Sequence, residues 1–347
     1  MLTADSVKAR AAEIGFDRCG IAPADTFPEL AFFREWLDHG YAGHMGYLPR
    51  TARVREDVRR ILPSARSVVV LATLYHTDRP LSVESSDDGE AIVSRYAWGD
   101  DYHDVIAGRL DALLAWMREQ DGEAFEARAY VDTGPVQERL YAQYAGLGWV
   151  GKNGCLINPE LGSWLFLSEI ICSLALAPDA PGLDQCGTCT LCLEACPTQA
   201  LVAPRVLDAT RCLSYLTIEL KSAIPEPLRE PVGRHVYGCD ICQDVCPWNM
   251  QAPASDAAEW QPRAGLDRPK LLDLWRRTDE EWQELTRGSA MTRPRLTGLR
   301  RNLAVGLGNS SDPGAVAGLE EDPPRDSPSR DDPMVREHVE WARRRKR

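Results

Sequence analysis

The sequence CGTCTLCLEACP, residues 186–197, decides the structure of the region around it because four cysteines stand there in close order. A shorter run, CDICQDVCP, follows at residues 239–247, and Cys212 stands alone between the two. The first run has the C-x2-C-x2-C-x3-C-P spacing of bacterial ferredoxins, whose fourth cysteine ligates the other cluster. The proline after each run keeps the chain from continuing as a helix. The spacing therefore predicts two 4Fe–4S clusters.

The shorter run lacks one ligand of the full pattern, so we expect Cys212 to supply it. By the ferredoxin crossover, one cluster takes Cys186, Cys189, Cys192 and Cys246, and the other takes Cys196, Cys212, Cys239 and Cys242. Zinc and disulfides are the alternatives. Zinc sites usually use two CxxC pairs, and a third cysteine in register argues against zinc. Disulfides require an oxidising compartment, for which the sequence gives no sign.

The composition is that of a soluble protein with room for two domains. The chain has 347 residues, of which 44% are hydrophobic, and both values are ordinary for a globular protein. No apolar run approaches the length of a bilayer span, and the N-terminal residues lack a secretory signal. We therefore expect a cytoplasmic monomer without membrane contact. Cys19, Cys155 and Cys172 lie among apolar residues and are predicted to be buried thiols.

The charge distribution is uneven. A net charge of −12 would argue against a nucleic-acid partner if the acidic residues were spread evenly. Arginines and lysines are instead concentrated at 50–66, 293–301 and 343–347, whereas acidic residues gather in ESSDDGE and EEDPPRDSPSRDD. The basic stretches therefore form either a local binding face or an ordinary solvated surface.

Helical and strand patterns alternate through residues 1–180, which predicts a mixed α/β domain. Helices are expected over residues 3–15, from Pro28 to Gly40, from Asp104 to near Gly122, and from Pro135 to Gly146 or Gly148. Strands are expected at residues 18–22, 67–75, 125–134 and 164–176. The aromatic residues Phe32, Phe33 and Trp36 on the second helix are predicted to lie in the core.

Two further regions follow this domain. Residues 181–255 are predicted to form the cluster-binding domain, built from loops and short helices. Residues 256–347 carry helical patterns that resemble a single HEAT-like helical pair. Within them, residues 312–333 are rich in Asp, Pro, Ser and Glu and are expected to be a linker or a mobile loop.

Asp132 lies where a predicted strand ends and the glycine-rich stretch up to Gly162 begins. Its carboxylate is in position to cap the following helix. The functional alternative is a general acid, since a carboxyl group in an apolar pocket resists ionisation and keeps a proton at neutral pH. His103 is a second candidate for this role, although it suits an ordinary helix start equally well. No dinucleotide or P-loop motif is present, so the clusters must pass electrons to another bound group.

Several stretches together resemble the epoxyqueuosine reductase family. They are RYAWGDDYH at 95–103, VDTGP at 131–135, ERLYAQYAGLGWVGKN at 138–153, RCLSYLTIE at 211–219 and LRRNLAVGLGN at 299–309. The resemblance implies a cobalamin-binding catalytic α/β domain, then a two-cluster ferredoxin-like domain and a short helical tail. It also implies reduction of epoxyqueuosine to queuosine at the wobble position of tRNA. Electrons are expected to pass from an external low-potential donor through both clusters to base-off cobalamin.

The resemblance also assigns individual residues. Asp132 matches the family's proton donor. The residues implied to line the cobalamin or the modified base are Arg55, Tyr96, Lys152, Asn153 and Ser163, and no histidine is named as a cobalt ligand. The arginines at 50–66, Lys221 and the basic C-terminal helices are candidates for tRNA docking.

Three other functions stay open at this point. One is a cobalamin-dependent reductase of another electrophile, similar to the reductive dehalogenases. Those enzymes are usually exported behind a twin-arginine leader, which is absent here. The others are a ferredoxin-type electron carrier and a cobalamin chaperone.

Overall fold

The computed structural model describes residues 2–121, 124–321 and 326–346. Its N-terminal helices are α1 (Ala4–Ile14), α2 (Phe32–Asp38), α3 (Tyr47–Arg55), α4 (Tyr102–Asp121) and α5 (Glu138–Tyr144). Its N-terminal strands are β1 (Arg18–Pro23), β2 (Ser67–Leu74), β3 (Ile92–Val93), β4 (Ala127–Tyr130), β5 (Trp149–Val150), β6 (Leu156–Ile157) and β7 (Leu165–Cys172). Strands β5 and β6 pair with each other as a short antiparallel ribbon.

A four-stranded sheet in the order β1-β2-β7-β4 organises the N-terminal region. All neighbouring strands in it run antiparallel. The central strands β2 and β7 pair from Ser67↔Cys172 to Leu74↔Leu165, and every residue of β2 is buried. Helices and strands alternate as predicted, but the antiparallel strands make α+β the better description of this region.

Both faces of the sheet are covered because successive side chains of a strand point in opposite directions. Val69 and Ile170 belong to the core that α1 and α4 cover. Val70 and Ile171 belong to the opposite core, which α5 covers. The end of β4 and the start of α5 thus lie at one edge of a rigid, two-sided layer, and this edge carries the candidate site.

The predicted aromatic core of the second helix is wrong for two of its three residues. The segment begins as a 3-10 turn at Pro28–Ala31, and α2 itself has no buried residue. Leu30 of the turn, 2% exposed, enters the core instead. Phe33 and Trp36 stack on each other at a centroid distance of 5.9 Å, and Phe32 is 39% exposed. Trp36 is half-buried, packs against a core formed mainly by later residues of the chain and donates a hydrogen bond of 2.6 Å to Leu207 O, so the core prediction fails for Phe32 and Phe33 and holds in part for Trp36.

The other N-terminal predictions differ mainly at element ends. The first helix ends before Gly15, whose φ of 105° is left-handed, as its position predicted. The fourth helix begins at Tyr102, and its predicted end near Gly122 lies outside the described residues. The fifth helix starts at Glu138 rather than Pro135, because residues 131–136 form a series of bends.

The cysteine-rich region consists of short elements. They are α6 (Leu191–Ala195), β8 (Leu201–Ala203), β9 (Val206–Leu207), a π-helical turn (Tyr215–Glu219), α7 (Glu226–Val232), β10 (His235–Tyr237) and α8 (Ile241–Asp244). The first cysteine run contains α6 and the second contains α8, and these two helices are in contact. Strand β10 pairs in parallel with β3, so backbone hydrogen bonds join this region to the N-terminal one.

The C-terminal region is helical, as predicted. Its helices are α9 (Leu271–Arg276), α10 (Asp279–Thr286), α11 (Arg295–Asn309), α12 (Pro313–Gly318) and α13 (Pro333–Arg345). Helix α11 is buried from Gly298 to Gly308, because β10, α9 and α13 all pack against it.

The predicted linker at 312–333 is corrected in its described part. Helix α12 and a 3-10 turn at Pro328–Asp331 lie inside it, and residues 322–325 fall outside the described residues. Among the helices described, none combines the length and the apolar character that crossing a membrane would require.

Candidate active site and cluster-binding region

Asp132 occupies a strained position directly after β4. Its φ of 56° is left-handed, a conformation that few non-glycine residues adopt. Its backbone N–H donates a hydrogen bond of 2.8 Å to Glu138 Oε1. The helix-cap alternative is wrong, because Gln137 is the N-cap of α5 and makes no side-chain hydrogen bond there. The Asp132 side chain instead stays 61% exposed and free to meet a ligand.

The first turn of α4 supplies the partners of this carboxylate. Tyr102 Oη donates a hydrogen bond of 3.0 Å to Asp132 Oδ2, and His103 Nε2 lies 3.5 Å from the same oxygen. On its other side, His103 Nδ1 lies 2.7 Å from Asp101 Oδ1. The imidazole is therefore held between two carboxylates.

This arrangement places the proton on the histidine. The hydrogen bond from His103 lowers the pKa of Asp132 and outweighs the opposite effect of burial. Burial opposes protonation of His103, but its hydrogen bonds with Asp101 and Asp132 prevail and raise its pKa to about 9. The surroundings of Asp132 thus lower its pKa, whereas an apolar pocket would raise it. At neutral pH the two groups form an ion pair with one transferable proton.

Aromatic rings form the wall beside this pair. Tyr102 stacks on Phe166 of β7 at 4.4 Å and an angle of 6°, which fixes the ring that bonds Asp132. Tyr96 lies edge-on to Tyr102 at 6.1 Å and donates a hydrogen bond of 3.0 Å to Tyr237 Oη. Burial raises the pKa of Tyr96 well above its ordinary value, so this phenol stays neutral.

A border that contains Arg55, Tyr47 and Arg293 also lies near Asp132. Arg55, at the end of α3, donates a hydrogen bond of 2.7 Å to Val136 O and acts electrostatically on both Asp132 and Glu138. Tyr47, at the start of α3, acts on the same aspartate and lies under the Arg293 guanidinium at 5.9 Å. Two of the residues assigned by resemblance, Arg55 and Tyr96, thus lie around Asp132.

The other three assigned residues lie elsewhere, against the cysteine-rich region. Lys152 Nζ donates hydrogen bonds to Gly187 O and Cys189 O at 2.7 and 2.8 Å. Asn153 Nδ2 donates to Cys242 O at 3.2 Å. Ser163 is buried and accepts hydrogen bonds from the Gln243 and Asn249 side-chain amides. These residues attach the cysteine loops to the N-terminal region.

The eight motif cysteines form two groups of neighbouring thiols. Cys246 lies with Cys186 and Cys192, and Cys192 lies with Cys189. Cys239 lies with Cys212 and Cys196, and Cys242 lies with Cys239 and Cys212. Trp149 Nε1 donates to Cys186 Sγ at 3.4 Å, and the Ala200 amide donates to Cys196 Sγ at 3.3 Å.

The donor chemistry and grouping of these thiols suit iron–sulfur clusters. All eleven cysteines are free of disulfides. Within the described residues, no three metal-binding side chains meet around a point that one ion could fill, whereas a cuboidal cluster bridges thiols that stand further apart. Of the remaining cysteines, Cys172 is buried as predicted, whereas Cys19 and Cys155 are half-buried.

Sequence reasoning missed two carboxyl groups beneath Asp132. Glu169 lies in the middle of β7 and is fully buried, and Glu138 is the first residue of α5. The signal was available for Glu169, since it is the one charged residue in the apolar stretch WLFLSEIIC. Nothing in the local sequence indicates that Glu138 bonds the Asp132 amide.

Two protein families match separate parts of the chain. Residues 55–133, which include Asp132, match the family described as epoxyqueuosine reductase QueG, DUF1730. Residues 185–249, which include all eight motif cysteines, match the 4Fe-4S double cluster binding domain. This part of the chain is therefore a two-cluster iron–sulfur domain.

Whole-chain similarities agree with these matches. An epoxyqueuosine reductase of Gloeobacter violaceus is 44% identical and aligns with 89% of this chain and 97% of its own. A crystal structure of epoxyqueuosine reductase with an epoxyqueuosine-modified stem loop of tyrosine tRNA is 32% identical, with a TM-score of 0.84 over 98% of this chain and 89% of that one. A Bacillus subtilis epoxyqueuosine reductase, with its catalytic aspartate loop swung out of the active site, is 32% identical, with a TM-score of 0.85 over 97% and 88% of the two chains. The chain therefore belongs to the epoxyqueuosine reductase family of oxidoreductases.

Proposed function

We propose that this protein reduces epoxyqueuosine to queuosine at the wobble position of tRNA, with two 4Fe–4S clusters and base-off cobalamin as its redox groups. The observation that carries the proposal is the exposed Asp132 carboxylate paired with His103. Opening an epoxide leaves negative charge on its oxygen, and a positioned proton donor lowers that barrier. Similarity to a relative solved with a modified tRNA stem loop supports tRNA as the substrate.

The two groups of thiols are the proposed cluster ligands. A 4Fe–4S cluster takes four thiolates, and each group supplies four. The first cluster would use Cys186, Cys189, Cys192 and Cys246, and the second would use Cys196, Cys212, Cys239 and Cys242. Hydrogen bonds to cluster sulfurs help to set the reduction potential, and Trp149 is placed to make one. An external low-potential donor would supply the electrons.

The surroundings of Asp132 fit a large ligand such as cobalamin. Tyr96 and Tyr102 supply aromatic side chains near Asp132, and Arg55 and Tyr47 lie close enough to interact with it electrostatically. This mixture suits a broad macrocycle with amide and phosphate substituents. Cobalamin, when bound, would supply the reducing power that opens the epoxide. Lys152, Asn153 and Ser163 would act on it only indirectly, through the cluster loops that they hold.

Residues of the protein would then supply the proton and orient the group that delivers it. Asp132 is ionised and His103 protonated at neutral pH, since their pKa values move in opposite directions. We infer that Asp132 Oδ2 faces the epoxide oxygen and that the proton of His103 Nε2 reaches that oxygen through it as the C–O bond opens. The oxygen then leaves as water with a second proton, taken up from solvent, and the external donor supplies the two electrons that the reduction consumes. The hydrogen bond from Tyr102 keeps the carboxylate oriented during this transfer.

The proposed tRNA surface lies beside Asp132. Arg50 and Arg53 are exposed on α3, the helix that also carries Arg55, and Arg293 lies close to Tyr47. Lys221 donates hydrogen bonds to Ile218 O and Arg293 O, so it belongs to the same border. A basic rim there would attract the phosphates of an anticodon stem loop. A tRNA substrate also favours the cytoplasm as the location, and a monomer suffices for this site.

The deciding experiment is anaerobic reconstitution with iron, sulfide and cobalamin, followed by mass spectrometry of tRNA that carries epoxyqueuosine. Queuosine should form only when both kinds of redox group are bound. Asp132→Asn should lower turnover by at least about 100-fold, because general acid catalysis contributes at least that much. Its absorption spectra should match those of the unmodified protein. Asp273→Asn, at an exposed position on α9, is the control and should keep full turnover.

Other outcomes point to other functions. Near-normal turnover of Asp132→Asn would exclude the aspartate as proton donor. Full loading without queuosine would favour a reductase of another electrophile, which halogenated aromatics would test. Electron transfer without any such turnover would indicate an electron carrier.

A further inference from the structure

Glu169 is an unusual residue for the centre of a sheet. It is fully buried in β7, where its cross-strand neighbours are Val70 and Tyr130. Its side chain points to the face that α5 covers, because Leu167 and Ile171, two residues away on either side, pack there. An isolated carboxylate in such a place is too costly to persist, so the group must be neutral or paired.

Glu138 is the group that acts on Glu169 most strongly. The two carboxyl groups interact directly across the contact between α5 and the sheet. Both Glu169 oxygens are buried without a conventional hydrogen-bond donor within the described residues, so a proton held between the two carboxyl groups is the remaining way to satisfy them. Burial raises the pKa of Glu169 well above its ordinary value and raises that of Glu138 to about 7. Two carboxyl groups in such contact titrate as one unit and do not both ionise at neutral pH.

The surrounding charges leave this pair intact. The charged and titratable groups that face it are Arg55 from α3, Tyr102 from α4, Tyr130 from β4, Asp132 from the loop and Arg139 from α5. The Arg55 guanidinium donates its described hydrogen bonds to Val136 O and Thr51 Oγ1, and Arg139 donates to Gly154 O. Neither arginine therefore neutralises Glu169 by direct contact.

The pair contacts the candidate site through one carboxyl oxygen of Glu138. Glu138 Oε1 accepts the hydrogen bond from the Asp132 amide, and Asp132 has the strained φ of 56°. A strained residue at a functional site keeps its conformation only when its surroundings enforce it. The Glu138 carboxylate is the acceptor that does so here, and it can stay in place only while Glu169 beneath it carries a proton.

We propose that Glu138 and Glu169 share one proton and act as a positioning pair, in which the Glu138 carboxylate fixes the Asp132 loop and protonated Glu169 holds that carboxylate. The proposal rests on the proposed role of Asp132 in the reaction. Neither glutamate touches the substrate. When the shared proton is lost, two negative charges repel each other beneath the loop, and Asp132 should lose its fixed position.

Infrared titration of the unmodified, cluster-loaded protein tests the shared proton without any reaction. With carbon-13 label in glutamate, the protein should show a protonated carboxyl band that persists at neutral pH, where ordinary glutamates are ionised, and that disappears only at higher pH. Glu169→Gln should remove this band. Because the titration needs no variant, it decides the question even if Glu169→Gln folds poorly. Absence of the band in the unmodified protein would overturn the shared proton.

Hydrogen exchange at the Asp132 amide tests the positioning. In Glu138→Ala this amide should exchange at least about tenfold faster, because a hydrogen bond to a charged acceptor is lost. In the unmodified protein its protection should fall as the pair ionises, whereas Glu169→Gln should keep protection at high pH. Glu226→Ala is the matched control, since Glu226 is the exposed first residue of α7. Equal protection in Glu138→Ala and the unmodified protein would overturn the positioning role.

Turnover separates this inference from the proposed function. Glu138→Ala should lower the rate of queuosine formation while its cluster spectra stay unchanged. The single variant Glu169→Gln keeps the Glu138 carboxylate and should retain most of the rate of the unmodified protein. If infrared and exchange results are as expected but no queuosine forms with any variant, the proposed function fails and the positioning pair stands. If queuosine forms normally in Glu138→Ala despite a mobile loop, the pair has no part in the reaction.

Discussion

Asp132 and His103 show how neighbouring residues set the chemistry of a single side chain. A carboxyl group alone would release its proton well below neutral pH. Here Asp101 and Asp132 both lie against one imidazole, and together they make His103 the group that keeps a proton at neutral pH. In the proposed reaction the pair would therefore supply the proton that Asp132 alone would lack, while the carboxylate stays exposed.

Turnover should depend on the protonation of His103. Its pKa in the folded protein is raised to about 9, so His103 is protonated at neutral pH and loses its proton as the pH rises through about 9. The rate of queuosine formation should fall over that upper range. His103→Gln should lower the rate at neutral pH by about 100-fold and remove the alkaline fall.

The measurement is the single-turnover rate of the loaded enzyme as a function of pH. Cluster absorption recorded at each pH controls for cofactor loss. An unchanged alkaline fall in His103→Gln would show that another group titrates there.

Helix α11 shows how a basic sequence motif can have a structural role. Arg300 and Arg301 were part of a predicted basic stretch, but both are fully buried. Arg301 donates hydrogen bonds to Leu216 O, Leu220 O and Ser222 O. These carbonyls belong to the π-helical turn after Cys212 and to the residues just beyond it. The guanidinium thus donates the hydrogen bonds that these carbonyls need, in a segment close to a proposed ligand of the second cluster. Because it is buried, it cannot contact a tRNA phosphate.

Arg301→Ala should therefore destabilise the fold and the second cluster together. Removing a guanidinium that bonds three buried carbonyls should cost about 3 kcal/mol of unfolding free energy. We expect a lower thermal midpoint and less bound iron per chain, measured by circular dichroism and iron analysis. Arg336→Ala on α13 is the control, since that side chain is exposed. Normal iron content in a destabilised Arg301→Ala variant would show that Arg301 stabilises the fold without supporting the second cluster.

At the scale of the whole molecule, an acidic protein is proposed to bind an acidic polymer. The net charge of −12 disfavours nucleic acid on average, but steering depends on the local field. Arg55 and Arg293 lie close enough to Asp132 to interact with it electrostatically, and Arg50 and Arg53 are exposed on the same helix as Arg55. Binding should therefore depend on a small basic rim.

The salt dependence of tRNA binding measures how many phosphates the basic rim contacts. The logarithm of the tRNA dissociation constant should change linearly with the logarithm of salt concentration, by about 0.7 to 0.9 per phosphate contact. Arg50→Ala and Arg53→Ala should each weaken binding and lower this slope by about 1. Arg336→Ala should change neither value. Identical slopes for the α3 variants and the unmodified protein would place the tRNA on another surface.

The sequence by itself predicted the features that depend on local spacing. Cluster-binding cysteines must stand at fixed intervals along one short loop, so the motif at 186–197 was sufficient to predict a two-cluster domain. The buried strand β2 was also predicted, because a run such as SVVVLATL is stable only inside a protein. Helix ends at glycine were predicted for the same local reason.

Tertiary structure decided what depends on residues distant in sequence. The aromatics of α2 are periodic enough for a core helix, but the preceding turn places Leu30 in the core and leaves no residue of α2 fully buried. The pKa of Asp132 is lowered by hydrogen bonds from His103 and Tyr102 of α4. The strained backbone of Asp132 is held by the hydrogen bond from its amide to Glu138. Glu169 meets Glu138 only because β7 and α5 pack together. Packing and pKa values result from non-local contacts, which no single stretch of sequence encodes.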